Sequence, residues 1–171
     1  MMHFVGETKQ EIFVLLGLIT AAAAIVIDQL SKYWVLNHVV NDSAAIVLAP
    51  FFNVVRAWNT GVSFSMFNDG GVTGIVGLTV VALVIVAFLL NWLRKENCRL
   101  VQIALGMIIG GAIGNVIDRV RLGAVFDFLD FHLGGSHWPA FNAADSFICI
   151  GAMMIIIHGL WFNEKSTEEK A

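Results

Sequence analysis

Few residues in this sequence have side chains able to do acid–base or nucleophilic chemistry in an apolar setting. Asp28, Lys32, Asp118, Arg119, Asp127, Asp130 and Asp145 lie within or beside long apolar runs, and His158 lies deeper in the last of them. Ionisable groups at such places are expensive to keep, so each is a functional candidate by default. Two carboxylates brought together there form a chemical device. Like charges a few ångström apart cannot both ionise, so they share a proton and titrate as a unit. The ionised member takes a proton from water while the neutral member donates to a carbonyl or a leaving amine. Such a pair cuts an amide bond without a covalent intermediate.

Asp127 and Asp145 are the pair whose settings suit that device. Asp127 sits in the strand-like run Val125-Phe126-Asp127-Phe128-Leu129-Asp130-Phe131, where a carboxylate is poorly solvated. Strand alternation puts Asp127 and Asp130 on opposite faces, so only one of them points at a given partner. Asp145 follows Pro139 and Asn142 at the start of the last apolar run. With Asn142 as N-cap, Asp145 falls at N3 and accepts a backbone hydrogen bond. Residue chemistry alone leaves Asp145 balanced between helix-start carboxylate and catalyst. Asp28 and Lys32 are four apart with the acid first, which favours a structural ion pair over a catalytic role. Asp118 and Arg119 are adjacent and point apart on a helix, leaving the Arg119 fork free to hold a substrate carbonyl or a loop.

Rival devices fit less well. Ser31 and Lys32 have the types of a Ser/Lys dyad, but neighbours on a helix diverge. There is no His-Glu-x-x-His run for zinc. Asp130, His132, His137 and Asp145 match no familiar ligand spacing, so neither a metal nor another cofactor is expected. Cys98 falls in a charged loop and Cys149 in an apolar run; a disulfide is not expected, and neither is expected to have a neighbouring histidine to activate it.

The elements that must position these residues belong to a membrane protein. Of 171 residues 58% are hydrophobic and only 13% charged, against about 25% charged in soluble domains. Mean hydropathy is +0.80. The scattered Lys and Arg residues form no basic patch for nucleic acid. Four apolar segments are each long enough, with flanking turns, for a bilayer that needs about 20 helical residues. A single integral membrane domain over 1–171 is expected, with spans near 12–36, 72–93, 100–118 and 142–162. Lys9 between Glu7 and Glu11 is a poor basic start for a cleaved leader, so the first helix is expected to be retained. Arg94, Lys95 and Arg99 in the short second connection make it cytoplasmic by the positive-inside rule. Both chain ends then lie inside, and the loops 37–71 and 119–141 lie outside, the side on which Asp28, Asp118, Asp127, Asp130 and Asp145 collect. Strand-forming residues after Pro50 and around Asp127 predict a small sheet resting on the outer membrane surface. Trp34, Trp58, Trp138 and Phe141 suit the interface. Gly106, Gly110 and Gly114 share a helix face with Asp118, a spacing that lets another helix approach closely. Asn68-Asp69-Gly70-Gly71 reads as a turn within a 61–71 loop that suits a lid.

Five blocks now carry a resemblance. They are Asp28-Gln29-Leu30-Ser31-Lys32, Asn59-Thr60-Gly61-Val62-Ser63-Phe64, Gly110 through Arg119, Val125-Phe126-Asp127-Phe128 and Phe141-Asn142-Ala143-Ala144-Asp145-Ser146. In their order and spacing the chain resembles the bacterial lipoprotein signal peptidases, the type II signal peptidases. Ser63 and Phe126 depart from the residues usual there. The resemblance implies an aspartic endopeptidase of the bacterial inner membrane. It would cut a diacylglyceryl-modified prolipoprotein immediately before the lipidated cysteine. By motif position Asp127 and Asp145 match the catalytic pair. Asn59, Gly111, Asn115, Arg119 and Asn142 match site-lining or supporting positions, and Asp28, Lys32 and Asp118 match structural polar ones. Members of that family are inhibited by the cyclic peptide globomycin. Expected partners are lipidated prolipoproteins and membrane lipid, with the chain itself a monomer. The alternative is a small proton-coupled transporter relaying through Asp28, Asp118 and Asp127. A relay needs polar groups throughout the span, whereas these collect on one side.

Overall fold

The computed structural model describes residues 2–39, 45–61 and 71–168. Four long helices appear: α1 (Met2–Trp34), α2 (Gly71–Leu93), α3 (Arg99–Leu122) and α4 (Ala143–Glu168). Each carries a segment long and apolar enough to cross a membrane, the first running on past the end of α1: Val14–Val39, Val72–Leu93, Arg99–Leu122 and Ala143–Trp161. A π-helical turn, Val35–Val39, continues α1. Four strands, β1 (Ala45–Ala49), β2 (Phe52–Asn59), β3 (Val125–Leu133) and β4 (Ser136–His137), form an antiparallel sheet in sequence order. The sequence anticipates β2 and β3 but not β1 or β4, which are short and lack a clean alternation. The 61–71 loop, with Ser63 and the turn at Asn68, lies almost wholly outside the described residues.

Helix α3 is central and packs against α1, α2 and α4. Lipid solvates apolar side chains as well as protein does, so close backbone contact rather than hydrophobic burial holds such helices together. The glycines supply it. A Cβ on Gly110 would stand 2.5 Å from the Ala21 carbonyl oxygen, and one on Gly111 would collide with the Ala144 carbonyl. One glycine thus admits α1 and the next admits α4. Lower in the bundle Ala21, Val86, Leu89, Leu93, Leu105 and Ile109 close the core.

Two local devices carry the chain from bundle to sheet. Gly123, at φ 73°, ends α3 in the left-handed conformation and returns its N–H to the Arg119 carbonyl at 3.1 Å. Strand β3 therefore starts two residues later, beside the end of α3. β3 then pairs with β2 through Asn59↔Val125, Ala57↔Asp127 and Phe52↔Phe131, with a bulge between Val54 and Ala57. Phe126 and Phe128 bury with Val35 and Val54 and seat the sheet on the end of α1. Phe126 is 1% exposed, so the larger side chain at this position fills the joint between sheet and helix. Leu129 and Phe141 exchange backbone hydrogen bonds, which draws the start of α4 up to β3.

Candidate active site

Asn142 is the N-cap of α4, and its hydrogen bonds organise the site. Its Oδ1 accepts the Asp145 N–H at 3.0 Å, and its own N–H donates to Asp145 Oδ2 at 3.3 Å. This reciprocal exchange between N-cap and N3 is a capping box. The Asn142 amide nitrogen is left over, and it donates to Asp127 Oδ1 at 2.6 Å. One side chain therefore joins both aspartates. Asp127 Oδ2 also accepts from Asn59 Nδ2 at 3.1 Å, and Asp145 Oδ1 accepts from Asn115 Nδ2 at 2.8 Å. The two carboxylates come from β3 and α4, held by asparagines on β2, α3 and α4. Burial, and then the neighbouring charge of Asp145, push the Asp127 carboxyl up to about 7 despite the bonds from Asn59 and Asn142. A carboxyl in that range is a proton donor at neutral pH.

Beneath the dyad lies a buried ionic knot. Lys32 Nζ reaches Asp28 Oδ2 at 2.9 Å, Asp118 Oδ2 at 2.9 Å and Asn115 Oδ1 at 3.1 Å. Its three protons thus meet three acceptors. Asp28 Oδ1 accepts the Ala144 N–H at 2.9 Å, and Asp118 Oδ2 accepts the Phe126 N–H at 3.2 Å. The knot thereby grips the backbone of both elements that bear the dyad. A Cβ on Gly114 would stand 2.5 Å from Asp28 Oδ2, so glycine is what lets the carboxylate lie against α3. Asp28 and Lys32 form the ion pair that their spacing suggests, and Asp118 extends it by one more acid. Asn115 couples the layers: its Oδ1 accepts from Lys32 and from Asn142 at 3.2 Å, and its Nδ2 serves Asp145.

Arg119 lies within electrostatic reach of Asp145, Asp127 and Asp118. Its Nη2 donates to the Gly61 carbonyl at 3.3 Å, so it holds the loop after β2. Its Nε is buried without a hydrogen-bond partner. Asp130 has a separate set of partners: Asn53 Nδ2 at 2.9 Å and His137 Nδ1 at 2.8 Å. The His137 and Asn53 bonds hold its carboxyl below the ordinary range although burial opposes them. Strand alternation separates the two acids as expected. Among the described residues no group of three or more His, Cys, Asp or Glu is placed to hold a metal ion.

Two features were not legible in sequence. Gln29 donates to Asp118 Oδ1 at 3.0 Å, to the Gly114 carbonyl at 3.2 Å and to Asp28 Oδ2 at 3.1 Å, closing the knot. A polar amide beside Asp28 at the end of a span was the available signal. Cys98, expected to lack a histidine, has His158 Nε2 3.2 Å from its Sγ. Sixty positions separate them, and only the antiparallel packing of α3 and α4 joins them.

Comparisons with known proteins bear on the family of the chain. Residues 20–161 match the model of the family described as signal peptidase (SPase) II. A lipoprotein signal peptidase of Aeromonas hydrophila is 45% identical over 147 residues, covering 85% of this chain and 88% of that one. One from Methylobacterium sp. strain 4-46 is 42% identical over 150 residues, covering 86% and 90%. A solved bacterial membrane enzyme superposes with a TM-score of 0.74 at 28% identity, covering 91% of each chain. A second gives 0.71, also at 28% identity, over 84% of this chain and 92% of that one. A transporter finds no support among them. With four spanning helices, five motif blocks and relatives matched over most of their length, the chain belongs to the signal peptidase II family of bacterial membrane peptidases.

Proposed function

We propose that the chain is an aspartic endopeptidase in which Asp127 and Asp145 are catalytic, acting on diacylglyceryl-modified prolipoproteins just before the lipidated cysteine. The observation that carries this is Asn142, whose single side chain bonds to Asp127 while its backbone and Oδ1 lock Asp145. Asp127, raised to about 7, holds the shared proton. Asp145 takes a proton from a water, and the resulting hydroxide attacks the scissile carbonyl carbon. Asp127 protonates the carbonyl oxygen as the tetrahedral adduct forms. The adduct then collapses, the C–N bond breaks, and the proton held by Asp145 goes to the leaving amine. The proton on the former carbonyl oxygen returns to Asp127.

Supporting residues have distinct tasks. Asn59 and Asn142 orient Asp127, Asn115 orients Asp145, and Gly111 keeps α4 close enough to α3 for these bonds. Arg119 fixes the chain at Gly61. The same reading places the protein in the inner membrane, with both termini cytoplasmic and the dyad at the outer face. The cationic 94–99 connection supports that orientation.

The decisive assay is cleavage of a lipidated prolipoprotein by purified protein, beside Asp127→Asn and Asp145→Asn. Each variant should lose about 10²–10⁴-fold in kcat, and globomycin should inhibit the parent. Near-normal turnover by either folded variant would remove that residue from the dyad.

A further inference from the structure

The ends of α1 and α3 enclose a recess of about 90 Å³ whose walls include neither dyad residue and no part of α4. Gln29, Lys32, Tyr33 and Asn37 line it from one side, Asp118 and Arg121 from the other. Its buried floor belongs to the ionic knot. Asp118 is the one acid there, and both of its oxygens already accept: Oδ1 from Gln29, Oδ2 from Lys32 and the Phe126 N–H. The exposed rim is unused. Arg121, in the last turn of α3, has no hydrogen-bond or ion-pair partner among the described residues. The hydroxyl of Tyr33, the sole tyrosine of the chain, makes no hydrogen bond among them either. Asn37 gives one amide proton to the Tyr33 carbonyl at 2.7 Å and keeps the other. The π-helical turn carries Asn37 to this place, and such turns recur at functional sites. Val26, Leu30 and Tyr33 are spaced by four and three, so they form one exposed stripe of α1 that leads up to Asn37 and the recess.

We infer that this recess holds the phosphodiester of a membrane phospholipid, with Arg121 as its counter-charge, Tyr33 and Asn37 as further donors, and an acyl chain lying along Leu30 and Val26. The site is separate from the peptidase chemistry and does not depend on it. A guanidinium fork suits two phosphate oxygens at once. The space takes about three water-sized groups, which admits phosphate oxygens and excludes a peptide. Asn37 and Arg121 lie within a turn of the ends of the Val14–Val39 and Arg99–Leu122 spans, the level at which headgroups lie. Basic recesses between spanning helices are a recurrent way of holding lipid headgroups. A free phosphate would meet the same donors, but only a lipid also uses the stripe below them. The bound lipid bridges the end of α1 to the end of α3 directly over the knot. It thereby fastens the two helices whose contact Lys32 and Asp118 make.

Thermal unfolding of the delipidated full chain in dodecyl maltoside tests this. Dioleoylphosphatidylglycerol is titrated in, beside dioleoylglycerol, which has the same acyl chains without phosphate, and beside inorganic phosphate. At a hundredfold excess over its Kd the phospholipid should raise Tm by about 5–10 °C, and the other two by less than about 1 °C. Arg121→Gln should weaken phospholipid binding by about tenfold or more, and Tyr33→Phe by about threefold. Both side chains are exposed, so neither change disturbs the core. Arg56→Gln removes an equal charge from the exposed part of β2 and should alter the binding by less than about twofold. No rise with the phospholipid overturns the site. An equal rise with dioleoylglycerol would assign the effect to acyl chains alone, and an equal rise with inorganic phosphate to a free anion; either overturns it. So does a rise that Arg121→Gln leaves undiminished.

Discussion

Asp127→Asn should make the folded protein more stable at alkaline pH while lowering kcat by about 10²–10⁴-fold. Asp127 is 2% exposed, and its carboxyl titrates near 7 in the fold against an ordinary 3.8. A folded-state value above the unfolded one means that the fold binds more protons between those limits. Stability therefore falls as pH rises from about 4 to about 7 and levels off above. At 1.36 kcal/mol per unit, ionised Asp127 costs the fold about 4 kcal/mol at pH 8 but under about 2 kcal/mol at pH 5. Asparagine cannot accept from both Asn59 and Asn142, and the lost bond costs about 1 kcal/mol at any pH. That part cancels when two pH values are compared. The stability of the variant relative to the parent should thus improve by about 2.5 kcal/mol between pH 5 and pH 8. In a chain of this size that is about 5–10 °C in Tm. Thermal unfolding of both proteins in one detergent at the two pH values measures it. Parallel profiles would refute a carboxyl held neutral by burial and by Asp145. Asp145→Asn, which removes the repelling charge, should flatten the parent's profile part of the way.

Four further outcomes follow. Cleavage by the parent should decline above about pH 7 as Asp127 loses its proton, read as kcat/KM against pH. Lys32→Met leaves Asp28 and Asp118 buried without a counter-ion, and should cost about 3–5 kcal/mol by thermal unfolding. Asn142→Ala removes a cap worth about 0.5–2 kcal/mol, yet its loss of kcat should far exceed what that stability change explains, because it also frees Asp127. Asp130→Asn should keep cleavage within a few-fold of the parent, since Asp130 contacts Asn53 and His137 rather than the dyad.

The helices and their apolar limits were plain in sequence because lipid demands long uncharged runs. Their ends were less plain, because ends are set by local devices. Helix α3 runs to Leu122 rather than 118, since nothing stops it before Gly123 turns left-handed. Helix α1 continues into a π-helical turn at Val35 for the same lack of a breaker. Strand alternation separated Asp127 from Asp130, and the N-cap spacing anticipated the bond from the Asn142 backbone to Asp145. Sequence could not show that the spare amide of Asn142 spans to Asp127, since that contact depends on how β3 docks beside α4. Pairings such as Cys98 with His158, or Gln29 with Asp118, are likewise products of helix packing and leave no local trace.

The Asp28–Lys32 pair bears on how the molecule is made. Helix α1 leaves the ribosome well before α3, so for a time neither Asp118 nor Asn115 exists to receive the ammonium. A lone lysine or aspartate near the end of a first helix would oppose its transfer into lipid. Placed four residues apart on one helix, and 2.9 Å from each other in the fold, the two neutralise one another without help from any other element. When α3 arrives, Asp118 and Asn115 engage the protons of Lys32 that Asp28 does not use, and Asp28 turns its other oxygen to the first turn of α4. The pair thus serves twice in biogenesis: as a self-contained passport for the first helix, then as the socket on which later helices are registered.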